Sequence, residues 1–290
     1  MAEPWRWRWR YHLSSFYIYR EFLNRQVYLH LASNTGAWHN GHMVTIIVPA
    51  YNCIKYLKDT VQSALSQSYP DIELLILDDG STDGTLDLID QIAGKDSRIR
   101  ALPNERNLGV AQTRNRGLAA AQGEYVAFLD ADDLWMPDKL ERQIGAMREK
   151  ELDPCYTAYS FIDSTGSAIR KPYHVPETLS LNRLLSENVI GLSSAIVRTD
   201  AIGTVRMREE YSHEDYVFWL ELFQKGCRAG GVDIPLMQYR VSESNRSGDK
   251  KKAALGRWEI YRKFLGLGLP QSLKWFLHYG IKGLRKVSGR

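Results

Sequence analysis

Cysteine is scarce: the 290 residues hold Cys53, Cys155 and Cys227, an odd number, far apart, with no CxxC pair. That excludes a disulfide framework and a cysteine zinc site, and fits a reducing compartment. No apolar run reaches the roughly 18 residues that a membrane-spanning helix needs. Neither GxGxxG nor a GxxxxGK followed by Ser or Thr occurs, so a dinucleotide oxidoreductase and a Walker-type nucleotidase lose their main support. Internal repeats and low-complexity segments are also missing. Acidic residues nearly vanish between 250 and 290, where Glu259 alone faces eleven Lys and Arg.

What is present is an ordinary globular composition, 44% hydrophobic and 25% charged, long enough for a sizeable core. The net charge of +4 conceals an asymmetry. Residues 43–249 carry 22 basic against 31 acidic side chains, and residues 250–290 are net +10. A basic tail on an acidic body points to an anionic surface as partner, here a membrane rather than a nucleic acid.

Residues 1–42 are dense in Arg and aromatics and lack a core-facing period. They read as a non-native leader, by a cloning scar or an over-extended reading frame, or as a basic helix lying on a membrane. From Met43 the pattern alternates. Buried strands are predicted at 44–52, 72–78, 98–102 and 124–129, and helices at 54–67, 86–93 and 109–121, with a further helix starting at Pro137. Asp83 is placed to cap the second helix. The expectation is an α/β fold with a mostly parallel sheet and helices on both faces. Beyond 151 the alternation weakens, with strand-like pieces at 155–161, 193–197 and 235–240 and helices at 179–186 and 214–225. The body 43–249 divides where the alternation weakens, into 43–150 and 151–249. Residues 250–290 form a helical C-terminal extension.

Ligands of open parallel sheets bind at the carboxyl ends of the strands. Here those ends read Pro49-Ala50-Tyr51-Asn52, Asp78-Asp79-Gly80-Ser81 and Asp130-Ala131-Asp132-Asp133. In an extended segment Asp130 and Asp132 face the same way. Two like charges side by side need a cation, and oxygen ligands suit Mg2+ or Mn2+ bringing a diphosphate. Asp133 alone reads as a helix cap, and Asp78 or Asp79 as an acceptor for a nucleobase or ribose.

The stretches VTIIVPAYN, LLILDDGSTDGT, NERNLGVAQTRNRGL, GEYVAFLDADD and SHEDYVFWLEL, in this order and spacing, resemble the family 2 glycosyltransferases of GT-A fold. The resemblance spans about 44–225. It implies inverting, metal-dependent transfer of one sugar from a nucleotide-diphosphate sugar, with a UDP-sugar as the expected donor. The acceptor would be a glycan, or a glycan on polyprenyl diphosphate, in bacterial surface polysaccharide synthesis. It further implies that Pro49, Ala50, Tyr51 and Asp79 line the nucleoside pocket and that Asn107, Gly109 and Arg114 lie near the nucleotide. Asp130 and Asp132 would bind the metal, and Asp215 beside Glu214 would be the general base. For Arg114 an exposed helix position is the competing reading. The QxxRW of processive members is absent, since Gln224-Lys225-Gly226-Cys227-Arg228 has no Trp. The alternatives are a sugar-phosphate nucleotidyltransferase, whose Gly-rich basic loop is missing, and a non-catalytic glycan-binding protein.

In the tail, Trp258, Tyr261, Phe264, Trp275, Phe276 and Tyr279 interleave with basic residues. Such aromatics favour the headgroup region of a bilayer, giving a peripheral enzyme on the cytoplasmic face of the inner membrane. The other reading packs these aromatics back on the acidic body.

Overall fold

The computed structural model describes residues 42–241 and 250–288. The leader discussed above, apart from His42, lies outside the described residues. Strand β1 (Val44–Ala50) pairs in parallel with β2 (Ile72–Asp78) on one side and β4 (Tyr125–Phe128) on the other. The short β3 (Ile99–Ala101) extends the parallel half beyond β2. Their residues are almost continuously apolar because helices cover both faces. Helix α1 (Ile54–Leu65) buries Leu57, Val61 and Ala64; α2 (Thr85–Ala93) buries Ile89; α3 (Val110–Ala120) buries Ala111 and Leu118. Gly84, not Asp83, is the N-cap of α2. Asp83 nevertheless serves two helix starts, accepting from the Thr85 N–H at 3.0 Å and the Ile54 N–H at 3.3 Å.

The second half of the sheet departs from the parallel pattern. Its strands are β5 (Leu134–Trp135), β6 (Pro154–Ile162), β7 (Ala168–Tyr173), β8 (Ile196–Arg198) and β9 (Gly230–Arg240). The order is β3-β2-β1-β4-β8-β6-β9-β5, with β7 beside β6. Strand β8 runs antiparallel to both β4 and β6, and β9 returns parallel to β6. Helix α4 (Lys139–Lys150) starts two residues later than Pro137 suggests, with Asp138 as N-cap. Short helices α5 (Leu181–Ser186) and α6 (Thr199–Ile202) precede α7 (Glu214–Gln224), which buries Tyr216, Phe218 and Trp219 under the sheet.

The C-terminal segment forms α8 (Lys250–Glu259), a π turn (Ile260–Phe264) and α9 (Leu269–Ser288). Its aromatics mostly face the protein. Tyr261 is buried and donates to the Leu185 carbonyl at 2.5 Å, and Phe264, Trp275 and Phe276 pack against the core. Full or partial burial of these rings against the core is the second of the two arrangements set out above, in which the aromatics pack back on the body. Gly256 lets α8 approach closely: a Cβ there would sit 2.2 Å from Ser212 Oγ.

Gly80 closes the turn after β2 at φ +74°, and a Cβ there would meet the backbone nitrogen of Asn107 at 2.8 Å. Gly80→Ala combines a left-handed penalty with a backbone collision, about 2 kcal/mol or more. Thermal unfolding should shift down by about 4 °C or more, and an unchanged midpoint would refute the close approach.

Candidate functional site

Because β1, β2 and β4 are parallel, their carboxyl ends open on one edge, and Ala50 is directly paired with Asp78. The loops that follow are stapled together. Asn52 Oδ1 accepts from the Thr82 N–H at 2.8 Å, and the Asn52 N–H donates to Ser81 Oγ at 3.0 Å. Tyr51 stands exposed after Pro49 and the buried Ala50.

The adjacent aspartates diverge. Asp78 Oδ2 accepts from the Gly80 and Ser81 N–H groups, both at 3.1 Å, while its buried Oδ1 has no hydrogen-bond partner. Asp79 organises the loop before α3. Its oxygens take the Asn104 side-chain N–H at 2.7 Å, the Leu108 N–H at 2.8 Å and the Gly109 N–H at 3.0 Å. Asn107 Oδ1 adds a second acceptor to the Gly109 N–H at 3.1 Å. Asn107 and Gly109 therefore line the same edge as Asp78.

The acidic motif is a turn, not the extended segment inferred from the sequence: the Asp133 N–H donates to the Asp130 carbonyl at 3.0 Å. Ala131 is buried at its centre, its carbonyl accepting from Thr60 Oγ1 at 2.9 Å. The turn still crowds the carboxylates. Burial, then the charge of Asp130, pushes Asp132 up to about 6. Asp133, read as a cap, is instead fully buried. One oxygen accepts from the Arg240 N–H at 2.9 Å and the other has no partner. Burial, then Asp132 and Asp130, holds it well above the ordinary carboxylate range. Arg240 braces the turn, donating to the Asp132 carbonyl at 2.8 Å and the Asp163 carbonyl at 2.9 Å.

Opposite lies the start of α7. Glu214 is buried, and Asp215 is half-buried with Oδ2 accepting from Asn188 Nδ2 at 3.3 Å. Burial, then the neighbouring Glu214, raises Asp215 to about 6, with Arg114 and Arg257 pulling the other way. Arg114 joins the two sides: Nη2 meets Asp130 at 2.5 Å and Nη1 meets Glu214 at 3.0 Å. It is 3% exposed, so the exposed-helix reading fails. Burial opposes its charge, but Asp130 and Glu214 more than offset this and hold it above the usual arginine value.

Among the described residues no cluster of three or more His, Cys, Asp and Glu gathers as a metal cage. The donor set nonetheless fits Mg2+ or Mn2+, which takes one or two carboxylates and fills its shell from water and phosphate. The raised Asp132 and the orphaned oxygen of Asp133 mark a place where positive charge is lacking. Sequence reasoning gave Asp133 only a capping role and assigned none to Asn188, Arg240 or Arg257. Of these, Arg257 is 2% exposed and stacks over the Tyr216 ring at 3.4 Å.

The family model for Glycosyl transferase family 2 matches residues 45–216. TuaG of Bacillus subtilis, named for teichuronic acid biosynthesis, is 37% identical over 84% of this chain and 97% of its own. The Escherichia coli UDP-Glc:alpha-D-GlcNAc-diphosphoundecaprenol beta-1,3-glucosyltransferase WfaP is 35% identical over 84% of this chain and 95% of its own. In fold, the chain is similar to S. aureus TarS 1-349 in complex with UDP-GlcNAc, with a TM-score of 0.64 at 21% identity over 82% of this chain and 71% of that one. A family match across more than half the chain, and relatives matched over nearly their full length, place it: the chain belongs to glycosyltransferase family 2.

Proposed function

We propose that this enzyme transfers a single sugar, with inversion, from a UDP-sugar to a glycan carried on a polyprenyl diphosphate, in surface polysaccharide synthesis. The observation that carries it is the convergence of Asp130 and Asp132 with Glu214 and Asp215 on one sheet edge, bridged by Arg114. The names of TuaG and WfaP support the pathway and the lipid-linked acceptor. The acceptor brings the enzyme to the cytoplasmic face of the membrane, where the basic segment 250–290 meets anionic lipid. No described helix is long and apolar enough to cross that membrane.

Tyr51 stacks on the base, and Pro49, Ala50, Asp78 and Asp79 line the nucleoside end. Asn107 and Gly109 shape the loop beside it. Asp132, with Asp130, would hold Mg2+ or Mn2+, which offsets the charge that grows on the departing diphosphate. Asp215 takes the proton of the acceptor hydroxyl as its oxygen attacks the anomeric carbon. The bond from that carbon to the diphosphate oxygen breaks on the opposite side, and the nucleoside diphosphate leaves with the electron pair. Glu214, fixed by Arg114, sets the position of the neighbouring base. Residues 43–150 serve the donor and 151–249 the acceptor.

Incubation with UDP-sugars, Mn2+ and lipid-diphosphate acceptors should release UDP with transfer; release of pyrophosphate from a nucleoside triphosphate and sugar phosphate would favour nucleotidyl transfer instead. Asp132→Ala should lower transfer by about a thousandfold, since the metal supplies several kcal/mol. UDP with Mn2+ should raise the melting temperature of the wild type, by binding the native state, and leave this variant unmoved. Full activity of the variant in EDTA would remove the metal from the mechanism.

Asp215→Asn should cut transfer by about a hundredfold or more while calorimetry gives wild-type affinity for UDP and Mn2+. A carboxylate raised to about 6 works as a base when ionised, so kcat/KM should fall as pH drops through about 6. The stability sign is opposite. A folded value above the unfolded one weakens the fold fully above pH 6, and the loss is relieved as pH falls toward the unfolded value. Relative to wild type, Asp215→Asn should therefore gain melting temperature as pH rises from 4 to 8. A transfer rate in the variant near wild type would dismiss Asp215 as the base.

A further inference from the structure

The inner side of α9 is committed to the protein. Ser272 is buried, Trp275 and Phe276 pack against the core, and Tyr279 lies 4.9 Å from the Arg257 guanidinium. Lys282 reaches Ser186 Oγ at 3.0 Å and Glu187 at 3.4 Å. The outer side carries Leu269, Leu273, Leu277 and Ile281, exposed by 55%, 46%, 62% and 51%. Their spacing of four places them in one stripe, about 18 Å long at 1.5 Å per residue. A row of large aliphatic side chains left in water marks an interaction surface.

We propose that this stripe is the membrane-inserting face of the enzyme, lying in the plane of an anionic phospholipid surface. The occupant follows from charge. The segment 250–290 has eleven Lys and Arg against Glu259, so two copies facing each other repel, whereas anionic headgroups attract. Lys274 is exposed on the helix flank. Apolar residues on one side and cations at the edge describe a helix lying at the headgroup boundary. This deepens the membrane reading above by replacing the tail aromatics with aliphatic residues. The inner side of the same helix faces the site elements: Tyr279 lies 4.9 Å from the Arg257 guanidinium, which in turn stacks over the ring of Tyr216, the residue after Asp215.

The test uses the full chain and sucrose-loaded vesicles of equal parts phosphatidylglycerol and phosphatidylcholine, and needs no sugar transfer. Wild type should sediment with these vesicles and retain part of its binding in about 0.5 M salt, where charge is screened to a few Å. The double variant Leu273→Glu, Leu277→Glu should bind about a hundredfold more weakly, at roughly tenfold per leucine withdrawn from lipid. Its melting temperature and its affinity for UDP with Mn2+ should match wild type. If the double variant does not fold, Leu277→Gln alone should cost about tenfold. Vesicle binding equal to wild type in the folded variant, or no wild-type binding at low salt, overturns the proposal. So does a vesicle-free dimer that the same substitutions dissociate, which would assign the stripe to a second copy. Failure of wild type and variant alike to bind UDP with Mn2+ would count against the proposed function and leave the membrane face standing.

Discussion

One buried guanidinium holds the cleft together. Arg114 comes from α3, yet its two partners lie 16 and 100 residues away, on the turn after β4 and on α7. A planar fork can bind two carboxylates at once in fixed directions, which a lysine cannot do. The spacing between the acidic turn and the start of α7 is thus set by one rigid group. Buried ion pairs are poor sources of net stability, but removing one partner strands the others at a cost of about 3–5 kcal/mol. What the pair secures is geometry: the acidic turn and the start of α7 are held at one separation.

The rest of the site is arranged at a cost to the fold. Asp132, Asp133 and Asp215 are all raised by burial and by a neighbouring carboxylate. Each would be easier to bury as an amide. Local consistency broken in this way is typical of working sites, where charge is kept for a ligand that is yet to arrive. The two clusters are not equivalent. Arg114 and Arg257 pull Asp215 down against burial and Glu214. In the acidic turn Arg114 pairs with the Asp130 carboxylate and the Arg240 N–H donates to that of Asp133, while the Arg240 guanidinium spends its donors on the Asp132 and Asp163 carbonyls and not on the Asp132 carboxylate.

The parallel half of the sheet was legible because its signals are local: apolar runs, helical spacing and Gly or Asp at the turns lie within a few residues of one another. The antiparallel half was legible in part. Strand β7 is exposed along nearly its whole length, with Arg170 and Lys171 in its middle, and β5 has two residues; neither leaves a hydrophobic trace. Asp133 looked like a cap because three acids within four residues look solvated. Its burial depends on the N–H of Arg240, 107 residues on. Arg114 was undecided for the same reason, since nothing near it in sequence announces Asp130 and Glu214 as partners. The tail shows the reverse error. The stripe Leu269, Leu273, Leu277 and Ile281 is plain in the spacing, but the aromatics between drew the attention, and those rings serve packing.

Gly256 changes what the C-terminal segment is. With no side chain, it allows α8 to lie directly on Ser212 and His213, the two residues before Glu214. Arg257 follows at once and reaches the ring of Tyr216, the residue after Asp215. The segment is therefore not a detachable anchor. Grafting the tail of another enzyme onto this body would also exchange part of the wall around Glu214 and Asp215. A successful chimera has to carry the small residue, the arginine and the tyrosine at 261 as a unit, because each is fitted to a residue of the body.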